Sequence, residues 1–250
     1  MIKCNNISKR SVKSEVLKNL SLEIAEAEIT VLIGPSGSGK TTLLKVLSLI
    51  NNPDKGTITI DEEIYQFPRK EAIRKQFEYN GKQQIGIVFQ NLDLIPHWTN
   101  RENVLKPIQR FPIDIEKFTE LFSILKLEKF IDKYPHQCSR GEQQRIAIVR
   151  ALMLNPTYIF LDEITSALDP ELIAAIYKYL LNLKKKGVSI FIVTHFLLFA
   201  QNVADKIIFL QNGEIVEQGS KEIMMNPKTN QLKSFLESLE GVLLNTTKYK

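Results

Sequence analysis

Cysteine, histidine, tryptophan and long apolar runs are all scarce in this sequence. Its 250 residues include two cysteines, three histidines and one tryptophan. Cys4 and Cys138 have neither metal-type nor redox-type spacing, so we expect two reduced thiols rather than a disulfide scaffold or a cysteine metal site. No stretch is apolar for the length that a transmembrane helix needs, and residues 1–6 lack the apolar core of a signal peptide. We therefore expect any link to a membrane to depend on a partner protein.

The remaining composition is that of an ordinary globular chain. Hydrophobic residues make up 44% and charged residues 24%, which argues against the disordered and fibrous classes. The formal net charge of +5 would suit an anionic partner such as nucleic acid or a lipid surface. However, the lysine run at residues 184–186 closes a helical pattern just before Gly187, where cations complement the helix dipole. We expect no nucleic-acid partner.

Short apolar runs alternate with helical patterns along most of the chain. The apolar runs predict strands at residues 29–33, 57–60, 85–89, 158–161, 188–193 and 206–210. Helical spacing predicts helices at 40–50, 118–125, 143–154 and 170–186, a polar helical tail after residue 222, and a helix with a surface loop at 68–82. Asn212-Gly213 predicts a tight hairpin. Because strands that alternate with helices form a largely parallel sheet, we predict an α/β fold with a helical insert after residue 96.

Residues 34–41, Gly-Pro-Ser-Gly-Ser-Gly-Lys-Thr, match the phosphate-loop pattern G-x-x-x-x-G-K-[ST] between a predicted strand and a predicted helix. Glycines let successive backbone amides curl toward phosphate oxygens, and the helix adds the positive end of its dipole. Lys40 is expected to reach the outer phosphates of ATP, Thr41 to bind Mg²⁺, and Thr42 to bond an inner phosphate. The alternative is a glycine turn without a ligand. The predicted phosphate-binding residues are Gly34, Pro35, Ser36, Gly37, Ser38, Gly39, Lys40, Thr41 and Thr42.

Two carboxylates follow the predicted buried strand at residues 158–161. Carboxylates at the end of a parallel strand face the crevice where open sheets bind ligands. Asp162 is expected to orient Mg²⁺, and Glu163 to accept a proton from, or to orient, the water that attacks the γ-phosphate. The alternative is that both acids only cap the loop before the next helix.

The chain resembles the nucleotide-binding subunits of ABC transporters from about residue 2 to residue 239. The resemblance implies a single domain: a P-loop NTPase core at 1–95 and 156–220 with an N-terminal antiparallel β subdomain, an α-helical subdomain at 96–155 and a helical tail at 221–250. Gln90 is similar to the family's Q-loop glutamine, which contacts Mg²⁺ or water. His195 is similar to its switch histidine, which contacts the γ-phosphate, although a lone histidine is more often structural. Residues 166–169 resemble the D-loop, which crosses a dimer interface.

The family's signature segment, usually Leu-Ser-Gly-Gly-Gln, aligns with residues 138–142 and binds ATP that is held by the opposite subunit. Ser139 and Gly141 match it and precede a helix, so we expect a hydroxyl, a backbone amide and the helix dipole to meet a phosphate there. The other positions depart from the pattern. Arg140 and Glu142 bring opposite charges, which leave the sign of the net electrostatic effect open.

Two further departures and one apolar cluster bear on function. Ile164 stands where the family usually has proline, and residues 9–12 lack the aromatic expected to stack on adenine, so we expect adenine to bind more loosely.

An apolar cluster beside the Q-loop forms either a groove for a permease's cytoplasmic helix or part of the core of the helical insert. Its members are Leu92, Leu94, Ile95 and Trp98.

Within the family, residues 87–104 most resemble the polar amino acid importers of the glutamine type. This likeness implies a homodimeric ATPase that uses ATP and Mg²⁺ and lies on the cytoplasmic side of the cell membrane as a peripheral subunit. Its partners would be permease subunits and, indirectly, a substrate-binding protein. Two other functions stay open: a soluble ABC protein that acts on nucleic acid or ribosomes, and a regulatory partner that binds ATP with little turnover. The departures in the signature favour the second, whereas Glu163 and His195 oppose it.

Overall fold

The computed structural model describes residues 1–12, 14–68, 85–165 and 168–246. The chain forms two compact units, one of residues 1–72 and 191–250 and the other of residues 73–190. The described strands are β1 (Ile2–Arg10), β2 (Glu15–Ile24), β3 (Ile29–Ile33), β4 (Lys55–Ile60), β5 (Glu63–Phe67), β6 (Ile85–Val88), β7 (Tyr158–Asp162), β8 (Ser189–Val193), β9 (Lys206–Gln211) and β10 (Glu214–Ser220). The described α-helices are α1 (Lys40–Leu47), α2 (Asn100–Leu105), α3 (Ile115–Ile124), α4 (Arg140–Met153), α5 (Pro170–Lys185), α6 (Leu197–Val203) and α7 (Asn230–Thr246). None of these described helices has the length and apolar character needed to cross a membrane.

The first unit contains a four-stranded antiparallel sheet in the order β2-β1-β4-β5. Strand β1 places Ile2 opposite Ile24 of β2 and Ile60 of β4. All three side chains are buried, as expected where alternate residues of an antiparallel strand face a core. This sheet confirms the predicted N-terminal antiparallel β subdomain.

Both cysteines are free thiols and buried. Cys4 lies on β1, and burial raises the pKa of its thiol to about 12. The thiol is therefore protonated at neutral pH, which removes the nucleophilic and metal-binding form of the side chain. Cys4 thus serves as a small hydrophobic residue of the core.

Strand β3 belongs to a second set of strands in the same unit. It pairs in parallel with β9, where Ile33 lies opposite Phe209, and it neighbours β8. All of its residues are buried, the pattern of a parallel strand that is covered on both faces. The chain then turns from β9 into the antiparallel β10 through Asn212 (φ 52°) and Gly213 (φ 80°). The predicted hairpin is confirmed, because Asn-Gly suits the two left-handed positions of its turn.

The second unit combines two parallel strands with helices. Strand β6 pairs in parallel with β7, and Val88 lies opposite Leu161. Residues 96–155 form α2, α3 and α4 with short 3-10 turns between them. Both α2 and α3 pack against α4, and within α3 the rings of Phe118 and Phe122 are 4.5 Å apart. The predicted α/β class, with a mainly parallel sheet and a helical insert, is confirmed.

The helix after the glycine loop is shorter than its apolar spacing predicts. It ends at Leu47 and not near residue 50, because Leu49 adopts a left-handed backbone conformation with φ 58°. Ile50 N–H then donates to Lys45 O at 2.9 Å, which satisfies a terminal carbonyl and closes the helix. Most of the helix and loop predicted at 68–82 lies outside the described residues.

The tail is not simply the polar helix that was expected. Leu232 and Leu236 of α7 are buried. The ring of Phe235 lies 5.1 Å from that of Phe209 in β9. One face of α7 therefore extends the core of the first unit, which a pattern dominated by polar residues did not indicate.

Candidate functional site

The loop between β3 and α1 requires glycine at both of its ends. Gly34 has φ 151°, and a Cβ there would lie 2.1 Å from the carbonyl oxygen of Leu210. Gly39 has φ 104°, and a Cβ there would lie 2.9 Å from the carbonyl oxygen of Val16. Both distances are shorter than the contact distance between a carbon and an oxygen atom. The neighbouring backbone thus fixes the path of the loop at residues 34–39.

Helix α1 presents an open N-terminus to this loop. Its N-cap residue is Gly39, so no side chain caps its first N–H groups, and its first turn has no acid. Lys40 Nζ donates hydrogen bonds to Gly34 O at 2.8 Å and to Pro35 O at 2.9 Å, which holds the ammonium group against the loop. Backbone N–H groups without an N-cap side chain, the positive end of a helix dipole and an ammonium group all favour an anion.

Three hydroxyl side chains complete the loop. Ser38 is 3% exposed, and its Oγ has no hydrogen-bond partner among the described residues. That oxygen lies 3.1 Å from the position of a Cβ on Gly34, which places it inside the curl of the loop. Thr41 is exposed and Thr42 is half-buried at the start of α1. A buried hydroxyl without a partner, next to the N-terminus of a helix, fits the oxygen atoms of a phosphate.

The hairpin turn between β9 and β10 supports the loop from outside. Gly213 N–H donates to Ser38 O at 3.1 Å, and Gly213 O accepts from Lys18 N–H at 2.9 Å. The sequence pattern predicted the turn but not this contact. No local signal reveals it, since Ser38 and Gly213 are far apart in the chain and meet through backbone atoms.

Strand β8 brings His195 to the edge of the sheet from which the phosphate loop leaves. Thr194 N–H donates to Leu32 O at 3.3 Å, so the carboxyl ends of β8 and β3 are neighbours. His195 directly follows Thr194, and Gly34 comes just after Leu32. His195 is exposed, which leaves its imidazole accessible to a ligand in the loop.

The second unit places three predicted site residues at neighbouring strand ends. Val88 of β6 pairs with Leu161 of β7, and Gln90 and Asp162 follow these two positions. Asp162 is 1% exposed, whereas Glu163 is half-buried and Gln90 is exposed. Glu163 has φ 54°, a left-handed conformation that costs a non-glycine residue about 1 to 3 kcal/mol and is common at functional sites. An amide and two carboxylates thus share one edge of the unit.

Helix α4 holds the backbone of both of these strand-end segments. Gln144 is 4% exposed and donates from Nε2 to Glu163 O at 3.1 Å. Arg150 donates from Nη1 to Asp93 O at 2.8 Å and from Nη2 to Leu92 O at 2.7 Å. Burial lowers the pKa of the Arg150 guanidinium, as expected for a cation withdrawn from water. The sequence does not predict these roles of Gln144 and Arg150, since the partners of both side chains are backbone carbonyl groups.

The start of α4 is capped by its own side chains. Ser139 Oγ accepts a hydrogen bond from Glu142 N–H at 3.3 Å, and the Glu142 carboxylate accepts one from Ser139 N–H at 2.7 Å. This capping box starts the helix at Arg140, so the predicted start at residue 143 is wrong. The S-x-x-E spacing could have indicated it. Arg140 also donates from Nη2 to Gln90 O at 2.5 Å, which links the signature segment to the segment after β6.

The phosphate loop, Asp162 and Glu163, and helix α4 all lie within one stretch of sequence that matches a known protein family. Residues 17–166 match the model of the family described as ABC transporter. This chain belongs to the ABC transporter family. It is accordingly an ATP-binding ATPase, as the ABC resemblance implied.

The ABC chain is similar along most of its length to ATP-binding proteins of bacterial transport systems. It is 39% identical over 249 residues to the arginine transport ATP-binding protein ArtM of Bacillus subtilis, covering 96% of this chain and 100% of ArtM. It is 37% identical over 243 residues to the glutamine transport ATP-binding protein GlnQ of Escherichia coli, covering 95% of this chain and 99% of GlnQ. The dimeric, post-hydrolysis structure of the ATP-binding cassette MJ0796 with ADP and Pi matches with a TM-score of 0.77. That match has 31% identity and covers 88% of this chain and 99% of MJ0796.

One ABC motif lies partly outside the described residues, and another carries a substitution. Ser166 and Ala167 of the predicted D-loop lie outside the described residues. Asp169, which follows them, caps α5 by accepting a hydrogen bond from Leu172 N–H at 2.9 Å. Ile164, where the ABC family usually has proline, is 1% exposed and so contributes an apolar side chain to the core.

The segment in which ABC subunits usually carry the adenine-stacking aromatic is polar here. Lys9 Nζ pairs with the Asp54 carboxylate at 2.9 Å, and Arg10 N–H donates to the same carboxylate at 2.6 Å. Val12 is fully exposed. These contacts fix the segment but provide no ring for stacking, so looser adenine binding stays a prediction.

The apolar cluster beside the Q-loop was expected to form either a groove for a permease helix or part of the core, and its members differ in burial. Leu92 is 4% exposed and belongs to the core. Leu94, Ile95 and Trp98 are half-buried, and Lys106 Nζ lies 4.6 Å from the centre of the Trp98 ring. The part of the cluster that reaches solvent therefore consists of Leu94, Ile95 and Trp98, with a cation against the Trp98 ring.

Proposed function

We propose that this ABC ATPase powers the uptake of a polar amino acid through a partner permease. The names of ArtM and GlnQ, arginine and glutamine transport proteins, support this class, and the chain covers nearly all of each. Because the two cargoes differ, the proposal is limited to the class. The amino acid itself would bind to the permease or to a separate substrate-binding protein.

The observation that carries ATP binding is the N-terminus of α1, which follows a glycine loop and has neither an N-cap side chain nor an acid in its first turn. In the proposal, the backbone N–H groups of the non-proline residues in 34–41 surround the β- and γ-phosphates, and Lys40 supplies the cation. Thr42 bonds an inner phosphate. Pro35, Ser36, Gly37 and Ser38 shape the curl between the two glycines that permit it.

Mg²⁺ fits the three residues proposed for it, because each of them offers oxygen. Thr41 has a hydroxyl group, Gln90 an amide oxygen and Asp162 a carboxylate, and oxygen atoms are the ligands that Mg²⁺ prefers. When bound, the ion would offset phosphate charge and polarise the γ-phosphoryl group. The neighbouring strand ends that carry Gln90 and Asp162 support a shared role for these two side chains.

Glu163 and His195 are the proposed catalytic residues, and Gln90 is proposed to act with them as a ligand for water or the ion. Glu163 accepts a proton from, or orients, the water that attacks the γ-phosphate. The hydrogen bond from Gln144 to Glu163 O fixes the backbone that aims this carboxylate. The exposed imidazole of His195 donates a hydrogen bond to the γ-phosphate as negative charge develops.

We further propose that two copies of the chain form a dimer around two ATP molecules. Ser139 and Gly141, at the start of α4, would then bind the γ-phosphate held by the other copy. The dimeric structure of MJ0796 supports this arrangement. The permease would dock against the exposed parts of Leu94, Ile95 and Trp98. In this proposal the subunit is a peripheral protein on the cytoplasmic side of the membrane.

Replacement of one carboxylate tests the catalytic part of the proposal. Glu163→Gln should keep the Kd for Mg·ATP within about twofold and lower steady-state hydrolysis by about 100-fold, the usual contribution of a general base. Glu171→Gln is the matched control, because Glu171 is exposed and pairs with Lys126 at 2.7 Å. Equal hydrolysis by Glu163→Gln and the wild type would exclude Glu163 as the base.

Transport requires a separate experiment. The chain should co-purify with a membrane permease and, in vesicles that contain both, drive ATP-dependent uptake of labelled arginine or glutamine. Glu163→Gln should abolish that uptake. ATP hydrolysis without uptake of any polar amino acid would contradict the cargo class and leave the ATPase in place. Co-purification with ribosomes or DNA would favour the soluble ABC alternative.

A further inference from the structure

Arg140 makes a contact that the usual signature residue could not make. It is the first residue of α4, its side chain is exposed, and its Nη2 donates to Gln90 O at 2.5 Å. The ABC signature usually has glycine at this position, and glycine has no side chain to reach a neighbouring segment. The contact is therefore a property of this chain's altered signature.

The segment after β6 is thereby held at two points by one helix. Arg140 bonds the carbonyl group of Gln90, and Arg150 bonds those of Leu92 and Asp93. Arg150 is half-buried and has two carbonyl partners, so it is the more rigid of the two attachments. Arg140 is exposed, so its bond can form or break without exposing a core.

The acid beside Arg140 is already engaged within the same turn. The Glu142 carboxylate accepts a hydrogen bond from Ser139 N–H at 2.7 Å, and its own N–H is bonded to Ser139 Oγ. Glu142 thus serves the helix cap, whereas the Arg140 guanidinium points to the backbone of Gln90. The two charged departures from the signature therefore have separate hydrogen-bond partners.

We propose that Arg140 is a positioning residue that fixes the backbone of Gln90 and so couples the start of α4 to the Q-loop. The inference rests on the proposed role of Gln90 as a ligand for water or Mg²⁺. Arg140 acts through that side chain and does not touch ATP. Loss of Arg140 should therefore lower kcat and leave the KM for ATP nearly unchanged.

A double-mutant cycle tests this coupling. Arg140→Met removes the donor and keeps an unbranched side chain, and Gln90→Ala removes the side chain that Arg140 is proposed to position. Arg101→Met is the matched control, because Arg101 is exposed and pairs with Asp132 at 2.8 Å on the surface of the same unit. Arg101→Met should leave hydrolysis unchanged.

We expect Arg140→Met to lower kcat roughly fivefold, the effect of one exposed charge-assisted hydrogen bond, with the KM changed less than about twofold. In the Gln90→Ala background the same substitution should change kcat less than about twofold, since the positioned side chain is absent. Arg140→Lys should restore part of the loss because an ammonium group can also donate to Gln90 O.

Three results would overturn the proposal in distinguishable ways. If the two substitutions reduce kcat by factors that multiply, Arg140 acts independently of Gln90, for example on ATP held by a second copy. A wild-type rate in Arg140→Met, with a slow Gln90→Ala, refutes the positioning role alone. A wild-type rate in Gln90→Ala refutes the proposed role of Gln90, and the coupling falls with it.

Discussion

The phosphate loop and the signature segment both sit at the N-terminus of a helix, but they leave that N-terminus in opposite conditions. At α1 the N-cap is Gly39, without a side-chain cap or an acid in the first turn. At α4 the N-cap is Ser139, which shares a capping box with Glu142. The first helix end is open to an anion, whereas the second already holds a carboxylate of its own.

This difference bears on how strongly each of the two segments would bind phosphate. An open N-terminus beside Lys40 can bind phosphate within one chain. At α4, the box occupies the N–H group of Glu142 and sets a negative charge in the first turn, where a phosphate would be repelled. We therefore expect strong nucleotide binding at the loop and a weaker, dimer-dependent contribution from Ser139.

The largest effect is expected where the backbone leaves no room in the phosphate loop. Gly34→Ala would place a Cβ 2.1 Å from Leu210 O and should lower the free energy of unfolding by about 4 kcal/mol, because a backbone carbonyl must move. Gly37→Ala is the matched control: its φ is 78° and nothing lies within 4 Å of its Cβ. Gly37→Ala should lower the free energy of unfolding by only about 1 to 2 kcal/mol. Urea unfolding of both variants measures the difference, and equal losses would contradict it.

A smaller effect is expected when the cation at the open helix end is removed. Lys40→Ala should raise the Kd for Mg·ATP about 100-fold, the effect of losing charge-assisted hydrogen bonds to phosphate. Lys45→Ala changes a lysine in the last turn of the same helix and should leave the Kd unchanged. Titration calorimetry compares the two variants. Comparable ATP binding by Lys40→Ala and the wild type would remove the basis of the proposed function.

The smallest effect is expected at the capped helix end. Glu142→Gln removes a charge and keeps an acceptor for Ser139 N–H, so it should strengthen ATP-dependent dimer formation roughly threefold without loss of the cap. Glu116→Gln, in the first turn of α3, is the control and should not change dimerisation. Sedimentation of both variants with ATP, in the Glu163→Gln background, measures the strength of dimer formation. A weaker dimer would show that the Glu142 charge assists the contact.

The features that could be predicted from the sequence are those whose residues lie close together in the chain. The phosphate loop could be predicted because its glycines, Lys40 and Thr41 must occur at fixed spacing between a strand and a helix. The placement of Asp162 followed from the buried apolar strand before it. The mainly parallel sheet followed from alternation of apolar runs and helical patterns.

The features that escape prediction depend on contacts between distant segments or on backbone atoms. Gly213 supports Ser38 through main-chain groups, and Gln144 bonds the carbonyl group of Glu163, so neither role leaves a pattern. The end of α1 was misplaced because Leu49, an apolar residue in register, adopts a left-handed conformation. The docking of α7 depends on the rest of its unit being in place.

The hydrogen bond from the β9–β10 turn to Ser38 has a consequence for the thermodynamics of nucleotide binding. Since the turn and the two end glycines impose the curl of the phosphate loop, its conformational entropy is lost when the first unit folds. Little ordering then remains for ATP to impose, so more of the phosphate interaction can contribute to affinity. Nucleotide binding begins from a receptor whose shape the protein core has already set.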